Sequence, residues 1–141
     1  MANRFVDASV FVHAYIRPKR KLRPHERTLK AHARDIVTRI NEGEETVTST
    51  VHLSEVANVL EGWMSLADAR TIQRGVCTRD TIRILPTAKP DVIEALALGS
   101  DTAVGTSDAL AAVLMKREGL GEVYSFDKDF DRIPDIRRIS A

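Results

Sequence analysis

Apolar residues recur along this chain in short clusters of two kinds, which predict strands alternating with helices. Short runs of β-branched and aromatic residues indicate strands. Apolar residues three or four positions apart indicate amphipathic helices. Pro24 suits the first turn of such a helix, and Gly43 follows its end. The predicted strands are 4–6, 45–49, 81–85, 122–126 and 137–139; the predicted helices are 9–15, 24–41, 50–64, 65–76, 91–98 and 106–116, with a short helical turn over 127–132.

The order of these elements predicts the fold class. Strands separated by helices favour parallel pairing through crossover connections. We therefore expect an α/β protein, a three-layer α/β/α sandwich around a central, mainly parallel twisted sheet. The length of 141 residues predicts a single domain over residues 1–141.

Composition narrows the cellular setting. No apolar run approaches the 18 or more residues of a membrane span, and the N-terminus lacks the pattern of a secretory signal. Cys77 is the single cysteine, which rules out an intrachain disulfide and a cysteine zinc cluster. These features predict a cytoplasmic protein without membrane association.

Acidic residues follow the predicted strands at positions where a parallel sheet places its ligands. Asp7 and Asp127 come directly after strands, Glu55 lies in the helix after the second strand, and Asp108 lies in the first turn of an apolar helix. Ligands bind beyond the carboxyl ends of parallel strands, so the four acids should share one side of the sheet. Each acid alone has a simpler explanation as a helix cap, a group favoured by the helix dipole, or an exposed side chain.

The four acids together predict a metal site. Clustered carboxylates repel one another unless a cation neutralises them. Oxygen ligands without cysteine or paired histidine favour Mg²⁺ or Mn²⁺ over zinc. Other chemistries fit the sequence less well, because it has no phosphate-binding loop, no dinucleotide fingerprint and no nucleophile elbow. Asp7 lacks the acid two positions later that a haloacid-dehalogenase phosphatase requires, since Ser9 stands there.

Charge is distributed unevenly along the chain. The segment from Arg17 to Arg39 holds nine basic and two acidic residues, a net charge of +7, although the whole chain carries only +1. A basic segment beside an acidic metal site is what phosphodiester hydrolysis requires, because cations hold the backbone while metal ions assist the chemistry. The alternative is a solvated helix face preceded by a basic loop. The candidate RNA-binding residues are Arg17, Lys19, Arg20, Lys21 and Arg23.

Four motifs in order resemble the PIN domain family over nearly the whole chain: "FVDASVFV", "LSEVANVL", "TSDALAA" and "SFDKDF". The chain's size is similar to VapC-type toxins of toxin–antitoxin pairs, although the basic segment is longer than expected for a minimal member, which bears on the substrate. The resemblance implies a Mg²⁺- or Mn²⁺-dependent ribonuclease, commonly a homodimer, with a small antitoxin partner. It implies an acidic quartet, a hydroxyl residue two before the last acid, a polar residue near the first acid, and an additional acid as ligand or ligand neighbour. The acidic quartet is Asp7, Glu55, Asp108 and Asp127. Ser125 is the hydroxyl residue, Ser9 the polar residue near the first acid, and Asp129 the additional acid.

The sequence hypothesis is therefore a metal-dependent endoribonuclease of the toxin type. Asp7, Asp108 and Asp127 would bind the metal, and Glu55 would bind it or orient the attacking water. Two alternatives stay open: a housekeeping PIN nuclease of RNA maturation, and a metal-free RNA-binding or protein-interaction module. The exposed-looking Trp63, with neighbouring helices, is a candidate part of a dimer interface, and a place in the core is its alternative.

Overall fold

The computed structural model describes residues 4–141, and its strands form one five-stranded parallel sheet. Residues 1–3, which belong to the predicted domain, lie outside the described residues. The strand order is β3-β2-β1-β4-β5, and every neighbouring pair is parallel. The prediction of a mainly parallel sheet is confirmed. The strands are β1 (Arg4–Val6), β2 (Thr46–Ser49), β3 (Ile82–Leu85), β4 (Glu122–Tyr124) and β5 (Arg137–Ile139).

Helices cover both faces of the sheet and complete the predicted three layers. They are α1 (Ala8–Tyr15), α2 (Pro24–Asn41), α3 (Thr50–Glu61), α4 (Leu66–Thr78), α5 (Lys89–Thr102) and α6 (Thr106–Glu118), followed by a 3₁₀ helix over Lys128–Arg132. One apolar core forms beneath α1 to α4, and a second forms beneath α5 and α6. Within residues 4–141, no helix is long and apolar enough to cross a lipid bilayer.

The alternation of side chains along β1 explains the two cores. Val6 belongs to the core under α1 to α4, whereas Phe5 belongs to the core under α5 and α6. Successive side chains of a strand point to opposite faces, so a central strand buried on both sides reads as a continuous apolar run. Both residues are fully buried.

Several element boundaries differ from the predicted ones for local reasons. Helix α3 ends at Glu61 rather than Met64, because Gly62 is a poor helix former and begins the turn to α4. Trp63 consequently lies in that turn and is 53% exposed. Strand β4 ends at Tyr124 rather than Phe126, since the chain leaves the ladder to make the side-chain bonds of the sheet edge described below.

Helix α5 is longer than predicted at both ends. It begins at Lys89, because the Asp91 carboxylate accepts a hydrogen bond from the Ala88 amide at 2.9 Å and caps the first turn. It continues to Thr102 and ends where Ala103 takes a left-handed conformation with φ of 59°. A Cβ on Gly99 would stand 2.9 Å from the Val104 carbonyl oxygen, so glycine permits the close return of the chain into α6.

Candidate active site

The carboxyl ends of β1, β2 and β4 place the predicted acids at one edge of the sheet. Because β1 lies between β2 and β4, the residues that follow these strands are neighbours. Asp7 follows β1, Asp127 lies three residues past the end of β4, and α3 with Glu55 starts directly after β2. Asp108 reaches the same place from the first turn of α6. Parallel topology thus assembles residues that are far apart in sequence.

Two serines join the segments that carry Asp7 and Asp127. The Ser125 hydroxyl donates to Oδ2 of Asp7 at 2.8 Å and accepts from the Asp127 amide at 3.0 Å. Because the proton of Ser125 is committed to Asp7, the Ser9 hydroxyl must donate in the 3.3 Å contact between the two serines. Ser9 also accepts from the Phe126 amide at 3.1 Å. The two serines therefore orient the acidic residues through hydrogen bonds.

Asp7 and Asp127 differ in their capping roles, although both stand at helix N-caps. The Asp127 carboxylate accepts from the Asp129 amide at 2.9 Å and caps the 3₁₀ helix. The Asp7 side chain makes no capping bond to α1, and its backbone amide instead donates to the Tyr124 carbonyl at 3.0 Å. The simpler interpretation of Asp7 as a helix cap is therefore wrong at the level of the side chain.

Three carboxylates lie close enough to share one cation. Asp108, Asp127 and Asp129 each offer an oxygen, and these oxygens lie within 4.8 Å of one another. Asp108 is only 8% exposed, while Asp129 is more accessible and pairs with Arg132 at 3.5 Å. Asp129, which the resemblance implied as a ligand or ligand neighbour, thus stands in the cluster itself.

Among residues 4–141, Asp7 and Glu55 are not part of this three-carboxylate cluster, but electrostatic interactions connect both to it. Burial raises the pKa of Glu55 to about 7, with the charges of Asp7 and Asp127 adding to the effect. Burial also raises the pKa of Asp108 to about 8, helped by a hydrogen bond shared with Asp127 and by the charges of Asp7, Asp127 and Asp129. Both carboxyls also respond to the charges of Asp7 and Asp127, and strongly perturbed acids grouped in this way are typical of functional centres.

The donor set fits a hard divalent cation. All of the clustered ligand atoms are carboxylate oxygens, which Mg²⁺ and Mn²⁺ prefer. Burial and the neighbouring negative charges raise the pKa values of Glu55 and Asp108, and a bound cation would oppose both effects. The residues present therefore suit the metal that the sequence predicts.

The basic arm, residues 17–23, is an exposed loop between α1 and α2. Arg17, Lys19, Arg20, Lys21 and Arg23 are all exposed. Arg20 folds back onto Glu26, with Nη1–Oε1 and Nη2–Oε2 distances of 2.9 and 2.6 Å. That pair, with the Arg23 amide, holds the pKa of Glu26 at about 2. Within residues 4–141, Lys19 and Lys21 form no ion pair, so their charges face solvent.

The arm connects to the acidic edge through α1. Lys30 of α2 donates to the carbonyls of His13, Ala14 and Ile16 at the end of α1. The His13 ring packs edge-on against Phe126, which adjoins Asp127, at 5.4 Å between centroids. The helix that begins beside Asp7 thus also anchors the loop that carries the basic residues.

His52 is a buried residue of the site region that the sequence did not single out. It lies in the first turn of α3, is 1% exposed, and packs edge-on against Phe5 at 5.0 Å. Its ring contacts the Ser49 hydroxyl and the Ser107 carbonyl. Burial lowers the pKa of His52. A lone histidine in an apolar helix gives no sequence signal for such a bridge.

Comparison with known protein families assigns this chain to a family. The PIN domain family profile matches residues 4–136. The chain therefore belongs to the PIN domain family, which confirms the resemblance seen in the sequence. No curated protein matches the sequence significantly.

Solved structures with the same fold include toxins of the VapC type. VapC20 from Mycobacterium tuberculosis, a toxin that cleaves the sarcin–ricin loop, has 17% identity and a TM-score of 0.69, covering 92% of this chain and 93% of that one. VapBC2 from Rickettsia felis, solved with a promoter DNA fragment, has 12% identity and a TM-score of 0.66, covering 96% of each chain. PAE2754 from Pyrobaculum aerophilum has 16% identity and a TM-score of 0.66, covering 97% of this chain and 89% of that one. The similarity to VapC-type structures holds at the level of the fold.

Substitution of Asp108 by Asn should stabilise the metal-free protein at pH 8. A carboxyl whose folded pKa is raised from 3.8 to about 8 loses its stabilising contribution as the pH rises through that interval. Asn removes this loss, so we expect Asp108→Asn to raise Tm at pH 8 by ~2–5 °C and to have a smaller effect at pH 5. Thermal unfolding in chelator, followed by circular dichroism, measures both.

Asp91 is the matched control, because it is also 8% exposed but its surroundings lower the pKa of its carboxyl instead of raising it. The Ala88 amide and then Arg117 lower the pKa of Asp91. That contribution is present at neutral pH and lost in acid, so Asp91→Asn should lower Tm at pH 8. A fall in Tm at pH 8 for Asp108→Asn as well would contradict the electrostatic account of the site.

Proposed function

We propose that the chain is a Mg²⁺- or Mn²⁺-dependent endoribonuclease that hydrolyses RNA phosphodiester bonds. The convergence of Asp7, Glu55, Asp108 and Asp127 at the carboxyl edge of the sheet carries this proposal. Membership of the PIN domain family and the oxygen-only donor set support it. A divalent cation, when bound, supplies Lewis acidity at the phosphate and stabilises charge on the leaving oxygen.

The surroundings of each residue at the sheet edge suggest its role in the proposed reaction. Asp108 and Asp127 hold metal, and Asp129 is an additional ligand because its oxygen lies in the same cluster. Asp7 would also hold the metal, with the Ser125 hydroxyl orienting its carboxylate. Glu55, whose pKa is about 7, holds metal or accepts a proton from the attacking water near neutral pH. Ser9 and Ser125 orient Asp7 and Asp127.

The basic arm contributes RNA affinity rather than chemistry. Among the described residues, Lys19 and Lys21 have no ion-pair partner, and Arg17 and Arg23 are exposed beside them. Arg20 is different, because the Glu26 carboxylate partly neutralises it and the pair fixes the loop to α2. We therefore assign Lys19 and Lys21 to phosphate contact and Arg20 mainly to the shape of the arm.

We further propose that the nuclease is a cytoplasmic toxin held inactive by a small antitoxin protein. The fold similarity to VapC20 and VapBC2 supports this assignment over a housekeeping nuclease. A homodimer is the proposed assembly. Apolar side chains that are at least half exposed, Trp63 and Leu66 near the start of α4 and Ile93 and Leu96 on α5, support an interface with a partner or a second copy.

Replacing Asp7 by Asn should abolish most RNA cleavage. The substitution keeps the shape of the buried side chain but removes a negative charge from the metal site. We expect cleavage of structured RNAs, including a sarcin–ricin loop oligonucleotide, to require Mg²⁺ or Mn²⁺. We expect Asp7→Asn to slow it by at least about 100-fold, the scale seen when one electrostatic group is removed. Single-turnover assays on labelled RNA give the rate.

Glu61→Gln is the control for that experiment, since Glu61 is exposed and lies on the same helix as Glu55. It removes one negative charge without touching the edge and should leave the rate unchanged. Equal rates for wild type and Asp7→Asn would refute the site assignment. A melting temperature that Mn²⁺ does not change would favour the metal-free binding module, because a cation that binds only the folded state must stabilise it.

Removing charge from the arm should weaken RNA binding in a salt-dependent manner. Each phosphate contact to a single strand contributes about 0.7 to the slope of log affinity against log salt. The double variant Lys19→Gln/Lys21→Gln should therefore reduce that slope by ~1.4 when both lysines contact phosphate. Fluorescence anisotropy with labelled RNA at several salt concentrations measures the slope. Arg70→Gln/Arg74→Gln, which removes two exposed charges from α4, should leave it unchanged; equal slopes for both double variants would remove the arm from the RNA site.

The toxin assignment predicts an effect on growth. Induced expression of the wild type in a bacterium should arrest growth, and the Asp7→Asn variant should not. Co-expression of the antitoxin should restore growth and yield a complex on copurification. Normal growth under expression of a soluble, catalytically active protein would instead favour a housekeeping nuclease.

A further inference from the structure

His52 connects the elements that carry the candidate metal ligands. It stands in the first turn of α3, one turn before Glu55. Its ring reaches across to Ser107 of α6, the residue directly before Asp108, and lies against Phe5 of β1, two residues before Asp7. One buried side chain therefore contacts three elements of the acidic edge.

The partners of the ring determine its hydrogens. The Ser107 carbonyl can only accept, so Nε2 must donate to it over 3.1 Å. In a neutral imidazole Nδ1 is then an acceptor, and the Ser49 hydroxyl donates to it at 2.5 Å. The same Ser49 oxygen accepts from the His52 amide at 3.2 Å and caps α3. Every hydrogen-bonding group of the ring and of the Ser49 side chain is thus satisfied.

The start of α6 depends on this bridge more than an ordinary helix start does. Its N-cap is Gly105, which has no side chain to cap the helix. Within residues 4–141, the buried Ser107 hydroxyl has no hydrogen-bond partner. His52 donates a side-chain hydrogen bond to the backbone of this first turn, and Asp108 in the same turn shares another with Asp127.

From this geometry we infer that His52 is a positioning residue, which fixes the first turn of α6 against the start of α3 and thereby sets the spacing of Asp108 and Glu55. The catalytic part of this inference rests on the proposed nuclease function; the structural part does not. His52 itself touches neither metal nor RNA in this scheme. Its effect passes through the two carboxylates that it places.

Two substitutions separate the bond from the volume of the ring. His52→Leu keeps an apolar side chain of similar length and removes both ring hydrogen bonds. His52→Gln keeps a donor that reaches the Ser107 carbonyl. Val76→Ala is the stability control, because Val76 is fully buried in α4 and away from the acidic edge. It should destabilise the fold without altering the site.

Amide hydrogen exchange tests the bridge without metal or RNA. In His52→Leu, the amide of Ala111, which pairs with the Ser107 carbonyl in a regular helix, should exchange about three- to tenfold faster than in the control, as expected for one lost buried hydrogen bond. His52→Gln should exchange close to wild type. Exchange in His52→Leu no faster than in Val76→Ala would overturn the proposal.

Metal affinity and turnover test the consequence for the site. His52→Leu should weaken Mn²⁺ binding, measured by calorimetry, and lower kcat by roughly 10- to 100-fold each, the range found when a residue supporting metal ligands is lost. The KM for RNA should stay near wild type, because the arm is intact, and His52→Gln should recover most of the loss. Unchanged Mn²⁺ affinity and kcat in His52→Leu would overturn the catalytic part.

The outcomes distinguish this proposal from the proposed function. A wild type that neither binds Mn²⁺ nor cleaves RNA would refute the nuclease and with it the catalytic part, while the exchange result would still decide the bridge. If His52→Leu does not fold, Ser49→Ala replaces it, because it releases Nδ1 and leaves the ring in place. Faster Ala111 exchange than in Val76→Ala then supports the bridge, and equal exchange overturns it.

Discussion

The burial of mutually repelling carboxylates at one sheet edge is the constraint on which this structure depends. Burial and the neighbouring charges raise the pKa of Asp108 to about 8 and that of Glu55 to about 7. Holding these groups together costs folding free energy at neutral pH, and the two apolar cores must supply it. The serines, the 3₁₀ turn and the His52 bridge are the parts that keep the acids in place against this repulsion. A divalent cation would convert the same arrangement from a cost into a source of stability.

Most of the architecture follows from local pattern and a few topological rules. The parallel order could be predicted because helices intervene between strands, and the edge that carries the acids follows from that order. Boundaries were less predictable, since they depend on tertiary contacts. Strand β4 is short because the amides of Phe126 and Asp127 donate to serine side chains at the edge, and α5 starts at Lys89 because Asp91 turns back to cap it. The hydrophobic periodicity of the sequence predicts none of these hydrogen bonds.

The acidic residues of the candidate site could be predicted from the sequence, but the contacts that hold them in place could not. Asp7, Glu55, Asp108 and Asp127 stand at positions that topology makes neighbours. Their roles in catalysis and metal binding stay predictions, as do those of Ser9 and Ser125. The role of His52 could not be predicted, because it depends on contacts with three elements that are distant in sequence. A single sequence does not reveal such contacts. Similarly, the number of basic residues in the arm did not show that Glu26 pairs with Arg20, whereas Lys19 and Lys21 form no ion pair with any residue in the range 4–141.

Asp7 and Asp127 differ in whether their side chains cap the helix that follows, and this difference bears on the role of Asp7 in the site. Both acids follow a strand and precede a helical turn, so sequence rules give both the same role as an N-cap. Asp127 fills that role, but the Asp7 carboxylate turns to Ser125 and leaves the first turn of α1 without a side-chain cap. A missing cap typically costs about 1 kcal/mol. A buried carboxylate that forgoes this stabilisation, and lies among other carboxylates instead, is difficult to explain by folding alone. The same position is readily explained when Asp7 must present an oxygen to a cation at the sheet edge.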